Sequence, residues 1–91
     1  MTPPSPDAPE HLEVLVYEYV SDVVERREPH RAAHLELLGR SGVVMGGATG
    51  DPPHGALIVF REGAEAFAGE DPYVAAGLVT GWRVEPWTVV A

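Results

Sequence analysis

Apolar residues crowd the chain in short bursts separated by glycine and proline, and the spacing within each burst changes from one to the next. From Leu12 to Val20 the residues Leu12, Val14, Val16, Tyr17 and Tyr19 make a β-branched and aromatic segment of strand length. Pro29 can open a helix running to about Ser41, with Gly42 supplying a left-handed stop. Within it His30, Ala33, His34, Leu37, Leu38 and Ser41 recur at three- and four-residue intervals and predict one buried stripe. Val43-Val44-Met45 reads as a short strand ending at Gly46-Gly47, and residues 48–55 as a turn-rich loop. The continuous apolar run Ala56 to Phe60 predicts a central strand covered on both faces. A brief helix over Ala64 to Ala68 follows, then a second capped by Asp71 and stopped at Gly77, then a strand from Leu78 to Val90 bent at Pro86.

Strand, helix, strand, strand, helix, strand is the order of a split βαβ, ferredoxin-like α+β sandwich, an antiparallel sheet with helices on one face. Residues 1–10, with four prolines, form a flexible tail outside the core, and residues 11–91 form the domain. The other sheet face would be bare. Tyr17 or Tyr19, Val59, Trp82 and Trp87 supply more apolar area there than a monomer should expose, which predicts a homodimer packed sheet against sheet as a dimeric α/β barrel.

Charge and composition narrow the partners. The 91 residues carry 14 acidic and 6 basic side chains, a formal net charge of −8, which repels phosphate backbones and anionic lipid and argues against nucleic acid and membrane as partners. All six cations are arginines, and Arg26, Arg27 and Arg31 form the one local positive patch, suited to a small anion. With no cysteine there is no disulfide, thiolate metal site or thiol nucleophile, and the first residues lack the basic and apolar regions of a signal peptide, which places the protein in the cytoplasm.

The chemistry concentrates in Asp71-Pro72-Tyr73-Val74-Ala75-Ala76-Gly77-Leu78 and in His34. Asp71 reads two ways: as a cap for the first helical turn with Pro72 at its N1 position, or as the carboxylate that orients His34 as a base. Arg31, one turn before His34, is placed to hold a carboxylate or phenolate, or else to pair with Glu28 on the surface. Tyr73 and Trp87 are candidates for substrate contact as well as for packing. His30 and His34 have the i, i+4 spacing of two metal ligands but lack the further residues of a zinc helix, so no metal is expected. No phosphate loop and no Gly-x-Ser-x-Gly elbow is present, and no organic cofactor is implied.

The segments Arg31-Ala32-Ala33-His34-Leu35, Asp71 to Leu78 and Val84-Glu85-Pro86-Trp87 resemble the YciI-like (YCII-related) family of small ferredoxin-like proteins, over most of the domain. The resemblance implies a cleft in which His34 and Asp71 meet as an active-site pair. One branch of the family resembles enzymes that remove halide from hydroxylated aromatic rings. This chain has Gly46-Gly47-Ala48-Thr49 where many relatives end the second strand with Gly-Pro, and its helix before Asp71 reads about one turn shorter. The function expected is proton transfer by a His34–Asp71 dyad, in elimination, isomerisation or hydrolysis of a small anionic or phenolic metabolite. The alternative is a non-catalytic ligand-binding or scaffold dimer.

Overall fold

The computed structural model describes residues 2–91. Four antiparallel strands, β1 (Glu10–Tyr19), β2 (Val43–Thr49), β3 (Gly55–Phe60) and β4 (Val79–Val89), lie in the order β2-β3-β1-β4. Helices α1 (Val23–Arg26), α2 (Glu28–Arg40), α3 (Ala64–Glu70) and α4 (Pro72–Ala75) complete an α+β, ferredoxin-like fold with the helices on one face of the sheet. No helix among the described residues is long and apolar enough to cross a membrane. Residues 5 and 8, within the expected tail, close a small turn through reciprocal backbone hydrogen bonds.

The alternation of a strand sets which side chains meet the helices. On β1 the odd positions Leu15 and Tyr17 are buried toward α2 and α3, opposite Ile58 and Ala56 of β3, and the core closes with Phe60, Phe67 and Leu37. The even positions Val14 and Val16 face the other way, opposite Val59 and Leu57. This corrects the sequence-based placement of the tyrosines. Tyr17 and, beyond an irregularity at Glu18/Tyr19, Tyr19 both pack with the helix-side core, and Trp82, paired with Tyr17, shares that side at the sheet edge. Both faces of β1 are apolar, so hydrophobicity alone left its two faces indistinguishable.

Two other expectations change. The β3 run is not covered on both sides in the single chain: Ala56, Ile58 and Phe60 are buried under the helices, but Leu57 is 44% exposed on the open face. Strand β2 continues through Gly46, Gly47, Ala48 and Thr49, paired as far as Gly55, so the loop shrinks to residues 50–54. Glycine is a poor strand former because it fills no side-chain site, yet the ladder itself needs only backbone groups. At Gly55 the small residue is required, since a Cβ there would lie 2.4 Å from the Tyr17 carbonyl oxygen.

The short α1 was not foreseen as a separate element. Its one buried residue, Val23, joins Tyr73 and Leu78 in a second, smaller core cluster that anchors the α4 segment.

Candidate active site

The string Asp71 to Leu78 is a complete single-turn cassette. Asp71, with extended backbone angles, accepts at Oδ1 from the Tyr73 amide at 3.0 Å, and Pro72 follows where no donor is needed. At the other end Gly77 adopts φ +76°, its amide donates to the Val74 carbonyl at 3.1 Å, and the Leu78 amide donates to the Tyr73 carbonyl at 3.0 Å. That pair of bonds is a Schellman stop, and its usual apolar clasp is made by buried Leu78 in the same cluster as Tyr73. The cassette therefore fixes Asp71 on the wall of the core, immediately after α3.

There Asp71 is 1% exposed and accepts two further bonds: the Tyr17 hydroxyl donates to Oδ2 at 2.7 Å, and His34 Nδ1 lies 2.8 Å from Oδ1. The cap and the contact with His34 coexist in one geometry, because the oxygen that caps α4 also meets the imidazole. A carboxylate has only acceptors, and three donors converge on this one, so the arrangement satisfies the ionised form and puts the His34 proton on Nδ1. In the neutral imidazole Nε2 then carries the lone pair. Among the described residues it has no protein partner and is not sealed in, since no buried side-chain nitrogen or oxygen lacks a hydrogen bond.

The imidazole is held on its flat sides as well. Its ring stacks on Tyr73 with centroids 3.8 Å apart and planes within 6°, and Phe67 meets it edge-on at 6.3 Å. His34 opens on a cleft of about 190 Å³ between α2, α4 and the β2–β3 half of the sheet, bordered by Tyr19, Arg27, Arg31 and Tyr73. Burial raises the Tyr17 hydroxyl well above the usual phenol range, and its bond to Asp71 adds to that shift. Burial pushes Tyr19 up to about 12, with Tyr73 and Asp71 adding to the rise and Arg27 and Arg31 opposing it. Tyr73 is raised by burial against the pull of Arg31 and Arg27. All three tyrosines are thus neutral at neutral pH.

Of the residues singled out in the sequence, His34, Asp71, Arg31 and Tyr73 come together around this cleft. Trp87 does not. It stands 45% exposed on the opposite face, beside a shallow apolar hollow of about 660 Å³ floored by Val14, Val16, Leu57 and Val59. Tyr17, Tyr19 and Arg27 are the members that sequence reasoning did not assign to the site. The signal for Arg27 was available as the i, i+4, i+7 spacing of Arg27, Arg31 and His34, but only to a reader who carried the helix back past Pro29. Among the described residues no group of three His, Asp or Glu side chains is clustered as a metal site.

Tyr17→Phe isolates one arm of this arrangement. It keeps the ring in the core and leaves Asp71 Oδ2 without its donor, so a loss of about 1–3 kcal/mol in urea unfolding is expected. A variant as stable as the wild type would mean that the hydroxyl is not needed to hold the carboxylate.

No family model matches the sequence, and no curated protein does. Among solved structures the fold is similar to that of 5-chloro-2-hydroxyhydroquinone dehydrochlorinase (TftG) from Burkholderia phenoliruptrix AC1100, in complex with 2,5-dihydroxybenzoquinone. The TM-score is 0.70 at 23% sequence identity, over 84% of this chain and 92% of that one. At that identity the likeness speaks for the fold.

Proposed function

We propose that this is a YciI-like enzyme in which the His34–Asp71 dyad moves a proton on a small anionic or phenolic metabolite, in an elimination, isomerisation or hydrolysis. The observation that carries the reading is the buried Asp71 carboxylate, saturated by three donors, which directs the His34 proton to Nδ1 and leaves Nε2 as the base facing the cleft. No organic cofactor enters the scheme. The similar fold belongs to a protein named for removing the elements of hydrogen chloride from a chlorinated hydroxyhydroquinone, and it holds a one-ring quinone. A cleft of about 190 Å³ is below the roughly 300–1,000 Å³ of sites for drug-sized ligands, and suits a single ring.

The test is a screen of hydroquinones, chlorinated hydroquinones and hydroxybenzoates, followed by absorbance and by chloride release, with the wild type and His34→Asn side by side. Turnover that the variant loses supports the dyad. Binding without product in both proteins would replace it with a non-catalytic ligand-binding module.

We also propose that the working unit is a cytoplasmic homodimer. Leu57 and Trp87 are large exposed residues on one open sheet face, continuous with Val14, Val16 and Val59, the pattern of a covered interface. Light scattering at micromolar concentration should give about twice the 9.8 kDa chain mass, and Leu57→Glu should halve it. A wild-type monomer would overturn this assembly.

A further inference from the structure

The α2 face that borders the cleft is graded along its length. Arg27 has helical backbone angles (φ −73°, ψ −21°) at the junction of α1 and α2, so the helical spacing runs through it without a break. Arg27, Arg31, His34, Leu35 and Leu38 then fall at steps of four, three, one and three residues and all border the cleft. One end is cationic, the middle is the imidazole, and the far end is apolar, where Ile58 of β3 adds to it.

Among the described residues neither guanidinium group is paired with a carboxylate. Arg26, Arg61 and Arg83 each have a carboxylate within 4 Å, at 3.5, 3.7 and 3.5 Å. Among the described residues Arg27, Arg31 and Arg40 have none, in a chain with more than twice as many acids as bases, and of these three Arg27 and Arg31 border the cleft. The hydroxyls of Tyr19 and Tyr73 border the same cleft, the latter accepting from Arg31, and neutral oxygens of this kind leave the positive charge uncompensated. Two partly buried guanidinium groups bordering one cleft have the charge and the donors to bind an oxyanion.

We infer that Arg27 and Arg31 form a two-pronged clamp for the oxyanion of a one-ring organic acid, a carboxylate or an ionised phenol or enol, and that the ring lies along α2 with its apolar edge against Leu35 and Leu38. This deepens the proposed function and rests on its premise that the cleft is the substrate site. It makes Arg27 a specificity-determining residue. Along the helix axis His34 is about 4.5 Å from Arg31 at 1.5 Å per residue, so with the acid seated on the clamp the base stands beside the ring and not beyond it. The proton that His34 takes is therefore one on the ring or on a substituent next to it, and a neutral analogue of the same shape forfeits the clamp.

Calorimetric titration of the full chain with two matched pairs tests this: 4-hydroxybenzoate against 4-hydroxybenzamide, and 4-nitrophenolate against 4-nitroanisole. At least one anion should bind ten times or more tighter than its neutral partner, and the pair that shows the difference identifies carboxylate or phenolate as the source of the oxyanion. Arg27→Gln and Arg31→Gln should each weaken that anion at least tenfold and leave the neutral partner unchanged. Arg40→Gln, an exposed arginine at the far end of α2, should alter neither. Equal affinity within both pairs, no binding of either anion, or anion affinity indifferent to both cleft substitutions overturns the clamp. His34→Asn separates the two ideas: anion binding retained by that variant, with no turnover in any protein, keeps the clamp and removes the dyad. Turnover that needs His34 but not Arg27 or Arg31 keeps the dyad and removes the clamp.

Discussion

Replacing Asp71 by Ala should lower the stability of the domain by about 3–5 kcal/mol in urea unfolding, since each buried donor left without an acceptor costs about 1–3 kcal/mol. Three donors lose their acceptor at once: the Tyr17 hydroxyl, His34 Nδ1 and the Tyr73 amide. The last is also the N-terminal cap of α4, worth about 1 kcal/mol by itself. Domains of this size hold about 5–14 kcal/mol in total at 0.05–0.15 kcal/mol per residue, so the substitution removes a large share of it. Asp71→Asn is the informative companion. Its carbonyl can keep the bonds from His34 and the Tyr73 amide, and its NH2 can donate to the Tyr17 oxygen once that hydroxyl rotates away. The Asn variant should therefore unfold well above the Ala variant in urea while losing the negative charge beside His34. An Ala variant within 1 kcal/mol of the wild type would show that desolvation of the carboxylate cancels all it gains from its three partners.

How much of this was readable beforehand differs by residue, for physical reasons. The Asp71 to Leu78 segment was legible because every step of it is local: cap, N1 proline and left-handed glycine act within eight residues, and its two uses differ only in what else Asp71 touches. His34 was legible as a buried helix position, although the full stripe was not. Ala33 is exposed, and His30 and Ser41 are only half-buried. Tyr17 was not legible. Its partner is 54 residues away, and the choice between the two faces of β1 depends on register, which a strand apolar on both sides does not announce. The same holds for Gly46 and Gly47, whose membership of β2 is decided by pairing with Ile58 and Leu57 and not by their own propensity.

The face that Tyr17 takes matters most, because the candidate site is made where the helix-side face of β1 passes beneath α2 and α4. Tyr17 brings the sheet to Asp71, the cassette brings Asp71 to α2, and α2 brings His34 to the cleft. Three separate elements thus hold one carboxylate, which is why the imidazole beyond it has a defined tautomer and a defined plane.

His34 carries the largest expected effect on activity. General base catalysis by a positioned imidazole contributes about 10²–10⁴-fold, so His34→Asn should lower kcat/KM by that factor, about 2.7–5.4 kcal/mol of transition-state stabilisation at 1.36 kcal/mol per decade. Asn is chosen because its amide nitrogen can stand where Nδ1 does and keep the bond to Asp71, while nothing stands where Nε2 does. The substitution thus removes the proposed base and spares the acceptor network. His34→Ala should lose activity equally, lose more stability, and open a space beneath Tyr73 into which free imidazole can bind, since the ring it replaces lies flat on that tyrosine. Partial recovery of turnover with added imidazole, rising with pH as the free base accumulates, would assign the proton transfer to that place in the cleft. Activity within threefold of the wild type in both variants would instead make His34 a packing residue satisfied by Asp71, with the reacting proton handled elsewhere.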